Sequence, residues 1–138
     1  MEFPERISRT SHKIIIKARY NETDKAGVVH HSVYPIWFEL GRTELLRANK
    51  VAYKDLEEAG VFFVVAELNI RYRRPAVYDE EMELETTCTD VSASKIVHSY
   101  KLRRFSDGVL LTEGETVLVC VSSEGKVRRM PKFMYPEE

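Results

Sequence analysis

Residue types suited to carbonyl chemistry are concentrated in one stretch, where a polar loop containing Asp24 runs into a long apolar segment. Aspartate side chains are ionised at neutral pH, so Asp24 can attack a carbonyl itself or take a proton from water. The free N–H groups at the predicted helix start, those of His31 and Ser32, can polarise the same carbonyl. On spacing alone, the favoured alternative is that Asp24 only accepts hydrogen bonds from loop amides, as aspartates in turns commonly do.

Four neighbouring side chains are further candidates for this site. Tyr20, at the end of the first predicted strand, is expected to form a pocket wall or to donate a hydrogen bond. His31 can orient Asp24 or a water molecule, or it can be a polar core residue at the helix start. His30 has less support than His31. Glu39, on the polar side of the predicted helix, is a reserve carboxylate whose alternative role is a surface or interface contact.

The sequence contains no pattern typical of a metal or redox site. Adjacent histidines on a helix point in different directions, no HExxH motif is present, and His12 and His98 add no ligand spacing. Cys88 and Cys120 are isolated in strand-like segments, which indicates reduced packing residues. We therefore expect neither a metal nor a cofactor.

The element that positions these residues is a helix predicted for residues 33–49. Ser32 is the expected N-cap, and Pro35 is tolerated in the first turn, where amides have no intrahelical partner. On a helical wheel the apolar residues span roughly 200°, about twice the stripe of a surface helix. We expect a sheet to wrap this helix, with Trp37 in the core and a strand backbone close to Gly41. The apolar arc contains Val33, Tyr34, Ile36, Trp37, Phe38, Leu40, Gly41, Leu45 and Ala48.

Five segments rich in β-branched residues or bounded by turn signals predict strands. They cover residues 12–20, 61–72, 82–90, 95–105 and 109–121, and a short helix after Tyr53 is expected to end at Gly60. Short connections between the last three strands predict an antiparallel meander. The predicted fold class is α+β, with an antiparallel sheet of about five strands wrapped around one long helix. Because one face of such a sheet needs a cover, we expect a two-fold partner.

Length and charge limit the class of protein. A chain of 138 residues suits a single domain, here residues 1–138. The net charge of -1 gives no overall attraction to nucleic acid, so any basic site must be local. No stretch approaches the roughly 20 apolar residues of a membrane span, and the first residues contain no apolar signal region. We therefore expect a cytoplasmic protein without a membrane span.

A family resemblance rests on residues 20–34, which read Tyr-Asn-Glu-Thr-Asp-Lys-Ala-Gly-Val-Val-His-His-Ser-Val-Tyr. This stretch resembles the signature of the 4-hydroxybenzoyl-CoA thioesterase family, and most of all the bacterial acyl-CoA thioesterases associated with the Tol-Pal system. The resemblance implies a HotDog fold, a homodimer or homotetramer, and hydrolysis of a short-chain aliphatic or aromatic acyl-CoA. The catalytic carboxylate of the family corresponds to Asp24, and its motif neighbours correspond to Tyr20 and His31. At His30 the chain departs from relatives that often have an aromatic residue.

An acyl-CoA substrate also requires groups that hold the coenzyme A phosphates, which arginine and lysine bind well. One basic cluster in the sequence contains Arg71, Arg73 and Arg74. The second cluster is the favoured one for phosphate contacts and contains Lys126, Arg128, Arg129 and Lys132. Together with Ser32, Arg128 and Arg129 are the predicted substrate-binding residues.

Two other functions stay open at this level. A HotDog dehydratase acts on hydroxyacyl groups of acyl carriers, but that branch typically places its catalytic histidine beside a Phe-Pro pair, which is missing near His31. A non-catalytic protein that binds acyl-CoA or acyl carriers, or serves as a scaffold, would bind its ligand equally well without Asp24. Tyr53, Phe62 and Phe63 are candidates for the acyl end of the site or for ordinary core.

Overall fold

A five-stranded antiparallel sheet and one long helix are the two layers of this α+β fold. The computed structural model describes residues 3–135. Helix α1 spans Tyr34–Ala48, and the short helix α2 spans Tyr53–Glu58. Within residues 3–135, no helix is long and apolar enough to cross a membrane. The strands are β1 Ser11–Lys17, β2 Phe62–Tyr72, β3 Glu81–Val91, β4 Lys95–Arg104 and β5 Leu110–Val121.

The order of strands across the sheet is β1-β3-β4-β5-β2, and every neighbouring pair is antiparallel. Strands β3, β4 and β5 are neighbours both in sequence and in the sheet, which confirms the predicted meander. The two edge strands are β1 and β2. The register places Phe62 beside Val121 and Tyr72 beside Thr112, so the ends of β2 lie at opposite ends of the sheet.

The predicted boundaries are wrong in two places, one at each end of the loop between β1 and α1. Strand β1 ends at Lys17 rather than at residue 20, because Tyr20–Glu22 form a turn of 3-10 helix. The predicted N-cap is also wrong, because Val33 is the residue before the helix and it makes no side-chain cap. Ser32 instead places its hydroxyl oxygen 2.7 Å from His30 Nδ1. That local partner competes with the helix for the serine side chain.

The inner face of α1 packs on the sheet through aromatic side chains. Tyr34, Trp37 and Phe38 are exposed by 2%, 3% and 1%, which confirms the predicted core position of Trp37. The Phe38 ring stacks on Tyr100 with ring centroids 4.2 Å apart and planes 5° apart. This contact needs glycine at position 114, because a Cβ on Gly114 would lie 2.6 Å from Phe38 Cε2.

The outer face of α1 is less covered than the width of its apolar arc predicts. Ile36 is 62% exposed and Leu40 is 44% exposed, because the sheet covers only one side of the helix. Gly41 lies at a close contact, as predicted. Its neighbours, however, are the side chains of Leu84 and Thr86 on β3 rather than a strand backbone.

Candidate active site

Asp24 lies in a tight turn of the loop between β1 and α1, and it is exposed to solvent. Its carboxylate oxygen Oδ1 accepts hydrogen bonds from the backbone N–H groups of Ala26 at 2.8 Å and Val28 at 3.3 Å. Gly27, with a φ of 77°, is the left-handed residue in this turn. One carboxylate oxygen thus orders the loop, as the structural alternative for Asp24 predicts. The second oxygen, Oδ2, has no hydrogen bond within residues 3–135.

Glu22 anchors the root of the same loop and is only 7% exposed. Its carboxylate accepts hydrogen bonds from the Arg19 backbone N–H at 2.8 Å and from the Trp37 indole N–H at 2.9 Å. Burial alone would raise the pKa of Glu22, but these bonds and the Arg19 charge outweigh it and lower the pKa. Glu22 is therefore ionised at neutral pH and ties the loop to helix α1.

His30, His31 and Ser32 lie at the end of this loop, directly before Val33. The two imidazole rings pack side by side, with centroids 4.2 Å apart. The Ser32 backbone N–H donates to His30 Nδ1 at 3.2 Å, which requires that Nδ1 carries no proton. The Ser32 amide is thus engaged, whereas the His31 amide makes no hydrogen bond within residues 3–135. Of the two predicted oxyanion donors, the free one is His31.

An open pocket of about 310 Å³ lies beside His31. The Tyr72 hydroxyl at the end of β2 donates a 2.8 Å hydrogen bond to the His31 carbonyl oxygen. The Tyr34 ring packs edge to face against Tyr72, with centroids 5.2 Å apart. Burial raises the pKa of both tyrosines, so they are neutral donors at physiological pH. The pocket is lined by Val28, Val29, His31, Tyr34, Tyr72, Arg73, Arg74 and Pro75.

Three predicted catalytic residues share this region without touching one another in the described chain. Tyr20 is 78% exposed and packs edge to face against Tyr78, with centroids 5.6 Å apart. Asp24 contacts only amides of its own turn, and the His31 ring contacts His30. The reserve carboxylate Glu39 lies on the outer side of α1. The catalytic roles of Tyr20, Asp24 and His31 therefore stay predictions.

The two basic clusters lie at opposite ends of β2. Arg128 donates to the carbonyl oxygen of Gly60 at 3.0 Å, just before β2 begins, and Arg129 follows it. The pocket beside Tyr72 is one strand length away, roughly 33 Å at about 3.3 Å per residue. In the other cluster, Arg73 pairs with Glu113 at 3.2 Å. Within a single subunit, the predicted phosphate-binding residues Arg128 and Arg129 are therefore remote from Asp24.

Residues 3–135 contain no group of three or more histidine, cysteine, aspartate or glutamate side chains that could hold a metal ion. Cys120 is fully buried, and burial raises the pKa of the Cys88 thiol to about 11. Both cysteines are free and lie in strands, as the packing interpretation predicts.

A family model described as the thioesterase-like superfamily matches residues 18–136, which include the Asp24 loop, α1 and all of β2. The chain belongs to the thioesterase-like superfamily. Its sheet and long helix have the HotDog architecture that the resemblance implies.

Relatives in the thioesterase-like superfamily cover most of the chain. The acyl-CoA thioester hydrolase YbgC of Escherichia coli is 32% identical over 123 residues, which are 88% of this chain and 91% of YbgC. The structure of a DHNA-CoA thioesterase from Staphylococcus aureus is similar, with a TM-score of 0.82, 32% identity, and coverage of 86% of this chain and 80% of that chain. A hypothetical protein from Thermus thermophilus has a TM-score of 0.80 and 39% identity, covering 86% of this chain and 90% of its own.

Sequence reasoning misses two residues of this candidate site. Tyr72 is the last residue of β2, and alternation along that strand places it on the helix-facing side with Leu68 and Ile70. The alternation along β2 could therefore have predicted that the Tyr72 side chain lies near the start of α1. Glu22 gives no such signal, because an acidic residue in a polar loop is normally exposed.

Proposed function

We propose that this protein is an acyl-CoA thioesterase, which hydrolyses a short-chain aliphatic or aromatic acyl-CoA to the free acid and coenzyme A. Its membership of the thioesterase-like superfamily and its similarity to YbgC support the reaction class. The observation that carries the proposal is Asp24, a carboxylate with one free oxygen, on the loop that also lines the pocket at the start of α1.

Asp24 supplies the nucleophile or the base. As a nucleophile, its carboxylate adds to the thioester carbonyl, the thiolate of coenzyme A leaves, and water hydrolyses the resulting anhydride. As a general base, it takes a proton from a water molecule while that water attacks the carbonyl. Both routes use the free oxygen Oδ2, and both end with the same acid and thiol.

The His31 amide is the proposed donor to the developing oxyanion. It makes no hydrogen bond within residues 3–135 and lies at the positive end of α1. The Tyr72 hydroxyl holds the His31 carbonyl, which fixes the backbone at this position. The proposed roles of the Tyr20 and His31 side chains and of the Ser32 hydroxyl are to line the pocket and orient the substrate.

A homodimer through the free edge of β2 completes the proposed site. Val65, Leu68 and Tyr72 lie on the helix-facing side of β2, yet each remains about half exposed, by 50%, 47% and 50%. A second copy that pairs antiparallel along this edge covers them. It also brings the beginning of its own β2, and with it Arg128 and Arg129 of the partner subunit, to the Tyr72 end of the first. These arginines then reach coenzyme A phosphates bound beside Asp24.

The finer assignments are part of the same proposal. The resemblance of residues 20–34 supports an assignment to the 4-hydroxybenzoyl-CoA thioesterase family, near its Tol-Pal-associated branch. The exposed Ile36 and Leu40 of α1 form a second apolar surface that a homotetramer would cover. The proposed reaction needs no metal or cofactor, and an acyl-CoA substrate fits a cytoplasmic location.

The test is release of free thiol from short, long and aromatic acyl-CoAs by wild type and by Asp24→Asn. We expect Asp24→Asn to lose at least about 10²-fold in kcat, the scale of a general base or nucleophile. Asp90→Asn is the matched control, because Asp90 is exposed at the opposite end of β3 from the Asp24 loop. Equal turnover by wild type and Asp24→Asn would overturn the assignment.

A non-catalytic acyl-CoA-binding protein is the second candidate, because Asp24 is exposed and already orders its own turn. This function predicts that wild type binds acyl-CoA without releasing thiol, and that Asp24→Asn binds with the same affinity. Calorimetric titration with an acyl-CoA, beside the thiol assay, separates the two functions.

A further inference from the structure

The carboxylate of Glu22 is the contact between the Asp24 loop and the inner face of α1. Oε1 accepts the backbone N–H of Arg19 at 2.8 Å, and Oε2 accepts the indole N–H of Trp37 at 2.9 Å. The Arg19 guanidinium lies 3.4 Å from Oε1. Both oxygens accept hydrogen bonds and Glu22 is only 7% exposed, so this carboxylate is engaged in holding the loop.

The backbone of Glu22 closes the same loop. The His30 N–H donates to the Glu22 carbonyl oxygen at 2.9 Å, and the Glu22 N–H donates to the Arg19 carbonyl oxygen at 3.0 Å. Thr23 and Val29 form a bridge just inside this closure. Asp24 therefore lies in a closed loop, and within residues 3–135 the only side-chain hydrogen bond from this loop to α1 is the one between Glu22 and Trp37.

We propose that Glu22 is a positioning residue for the hydrolysis assigned to Asp24, acting through its hydrogen bond to Trp37. This inference rests on the proposed function. Hydrogen bonds to a charged group in a buried site are stronger than neutral ones, so the pair holds the loop in one place relative to the helix start. Reacting groups lose about 10²-fold in rate when they are misplaced by about 1 Å. Glu22 thus sets the distance between the Asp24 carboxylate and the free amide of His31.

Two substitutions weaken or remove this bond, one from each partner. Glu22→Gln keeps the size of the side chain, but its amide has one acceptor oxygen and cannot serve both the Arg19 and Trp37 donors. Trp37→Phe keeps an aromatic ring in the core and removes the indole donor. We expect each variant to lose about 10-fold or more in kcat, with KM changed by less than about threefold, because the acyl-CoA contacts remain.

Trp37 also provides a readout that is independent of catalysis, because it is the only tryptophan in the chain. The tryptophan fluorescence of the protein therefore comes from a single indole, the one beside Glu22. Loss of the hydrogen bond removes an interaction that stabilises the excited indole, so we expect Glu22→Gln to shift the emission maximum to shorter wavelength. The amide of His30, which donates to Glu22, should also exchange with solvent faster in both variants.

Glu44→Gln is the control, because Glu44 is a half-buried acid on the same helix that pairs with Arg47 at 3.5 Å and lies outside the site. It should keep the wild-type kcat and emission. If Glu22→Gln does not fold, Trp37→Phe alone decides the outcome. Folded variants that turn over at the wild-type rate, while Asp24→Asn is inactive, would overturn the positioning role and leave the proposed function intact. Full activity of Asp24→Asn would instead overturn the proposed function.

Discussion

Arg42 places a positive charge in the core beneath α1, where it is 7% exposed. It pairs with Glu39 at 3.6 Å and lies 3.5 Å from the Tyr100 hydroxyl. Burial raises the pKa of Tyr53 to about 12, although the charge of Arg42 opposes this shift. Burial, helped by Arg42, lowers the pKa of His98 to about 3. The fold therefore requires His98 in its neutral form.

His98 should make the protein sensitive to mild acid. An unfolded histidine titrates near 6.5, whereas folded His98 has a pKa of about 3. The unfolded state therefore binds more protons below pH 6.5. The stability that comes from keeping His98 neutral is fully present above that pH. It is lost progressively as the pH falls from 6.5 to 3. We expect His98 to lower the free energy of unfolding by about 2 kcal/mol between pH 7.5 and 5.0, as measured by urea denaturation.

His98→Gln separates this effect from the titration of carboxylates. Glutamine does not titrate, so the variant should lose less stability than wild type between the same two pH values, by about 2 kcal/mol. His98 Nδ1 has no hydrogen-bond partner within residues 3–135, so this ring atom leaves no partner unpaired when it is replaced. Equal losses in wild type and His98→Gln would show that His98 does not titrate in this way.

At the scale of single elements, helix α1 depends on glycine at position 41. A Cβ at Gly41 would lie 2.8 Å from Leu84 Cδ2 and would also meet the Thr86 hydroxyl. Alanine favours a helix over glycine by about 1 kcal/mol, but overpacking a core costs about 1 to 3 kcal/mol. We therefore expect Gly41→Ala to destabilise the protein by about 1 to 2 kcal/mol in denaturant unfolding.

Arg47→Ala is the control for this prediction, because Arg47 lies on the exposed side of the same helix and its ion pair with Glu44 is at the surface. It should change stability by less than about 0.5 kcal/mol. A Gly41→Ala variant more stable than wild type would show that Leu84 and Thr86 move aside and that only helix propensity counts.

Elements are predictable from this sequence because their signals are local. Periodicity over residues 33–49 predicts α1 to within one residue at each end, and the β-branched and alternating segments predict all five strands. Side-chain partners are not local. The N-cap is mispredicted because the His30 ring takes the Ser32 hydroxyl, and the role of Glu22 depends on Trp37, fifteen residues away.

At the scale of the molecule, the two edge strands of the sheet differ in how readily a strand of another subunit could pair with them. Strand β1 carries Lys13 and Lys17, which pair with Glu83 at 3.7 Å and Asp79 at 3.4 Å. Charged side chains on an edge strand discourage addition of another strand. Strand β2 also carries the exposed Glu67 and Arg71, but its helix-facing side presents half-exposed Val65, Leu68 and Tyr72 along its free edge. A second copy is therefore expected at β2 and not at β1.

The same topology explains why the proposed phosphate-binding residues cannot be placed from the sequence. Arg128 is far from Asp24 in the sequence. It is also far from Asp24 in the folded chain, since it contacts Gly60 at the other end of β2. Only a two-fold axis across β2 brings the two ends of that strand together. The apolar arc also mispredicts the burial of Ile36, because a pattern along one chain shows which residues are apolar but not which of them another element covers.

Leu68→Arg should disrupt the proposed dimer, because a charge then replaces an apolar side chain at the centre of the β2 edge. Sedimentation velocity is expected to show at least twice the 16.0 kDa chain mass for wild type, and half of the wild-type mass for the variant. Ile15→Arg, at a 53% exposed position on the other edge strand, should remain dimeric. The monomer should also lose thiol release from acyl-CoA, because Arg128 of the partner subunit is absent. A monomeric Leu68→Arg variant with full activity would contradict a site shared between subunits, and a dimeric one would place the interface elsewhere.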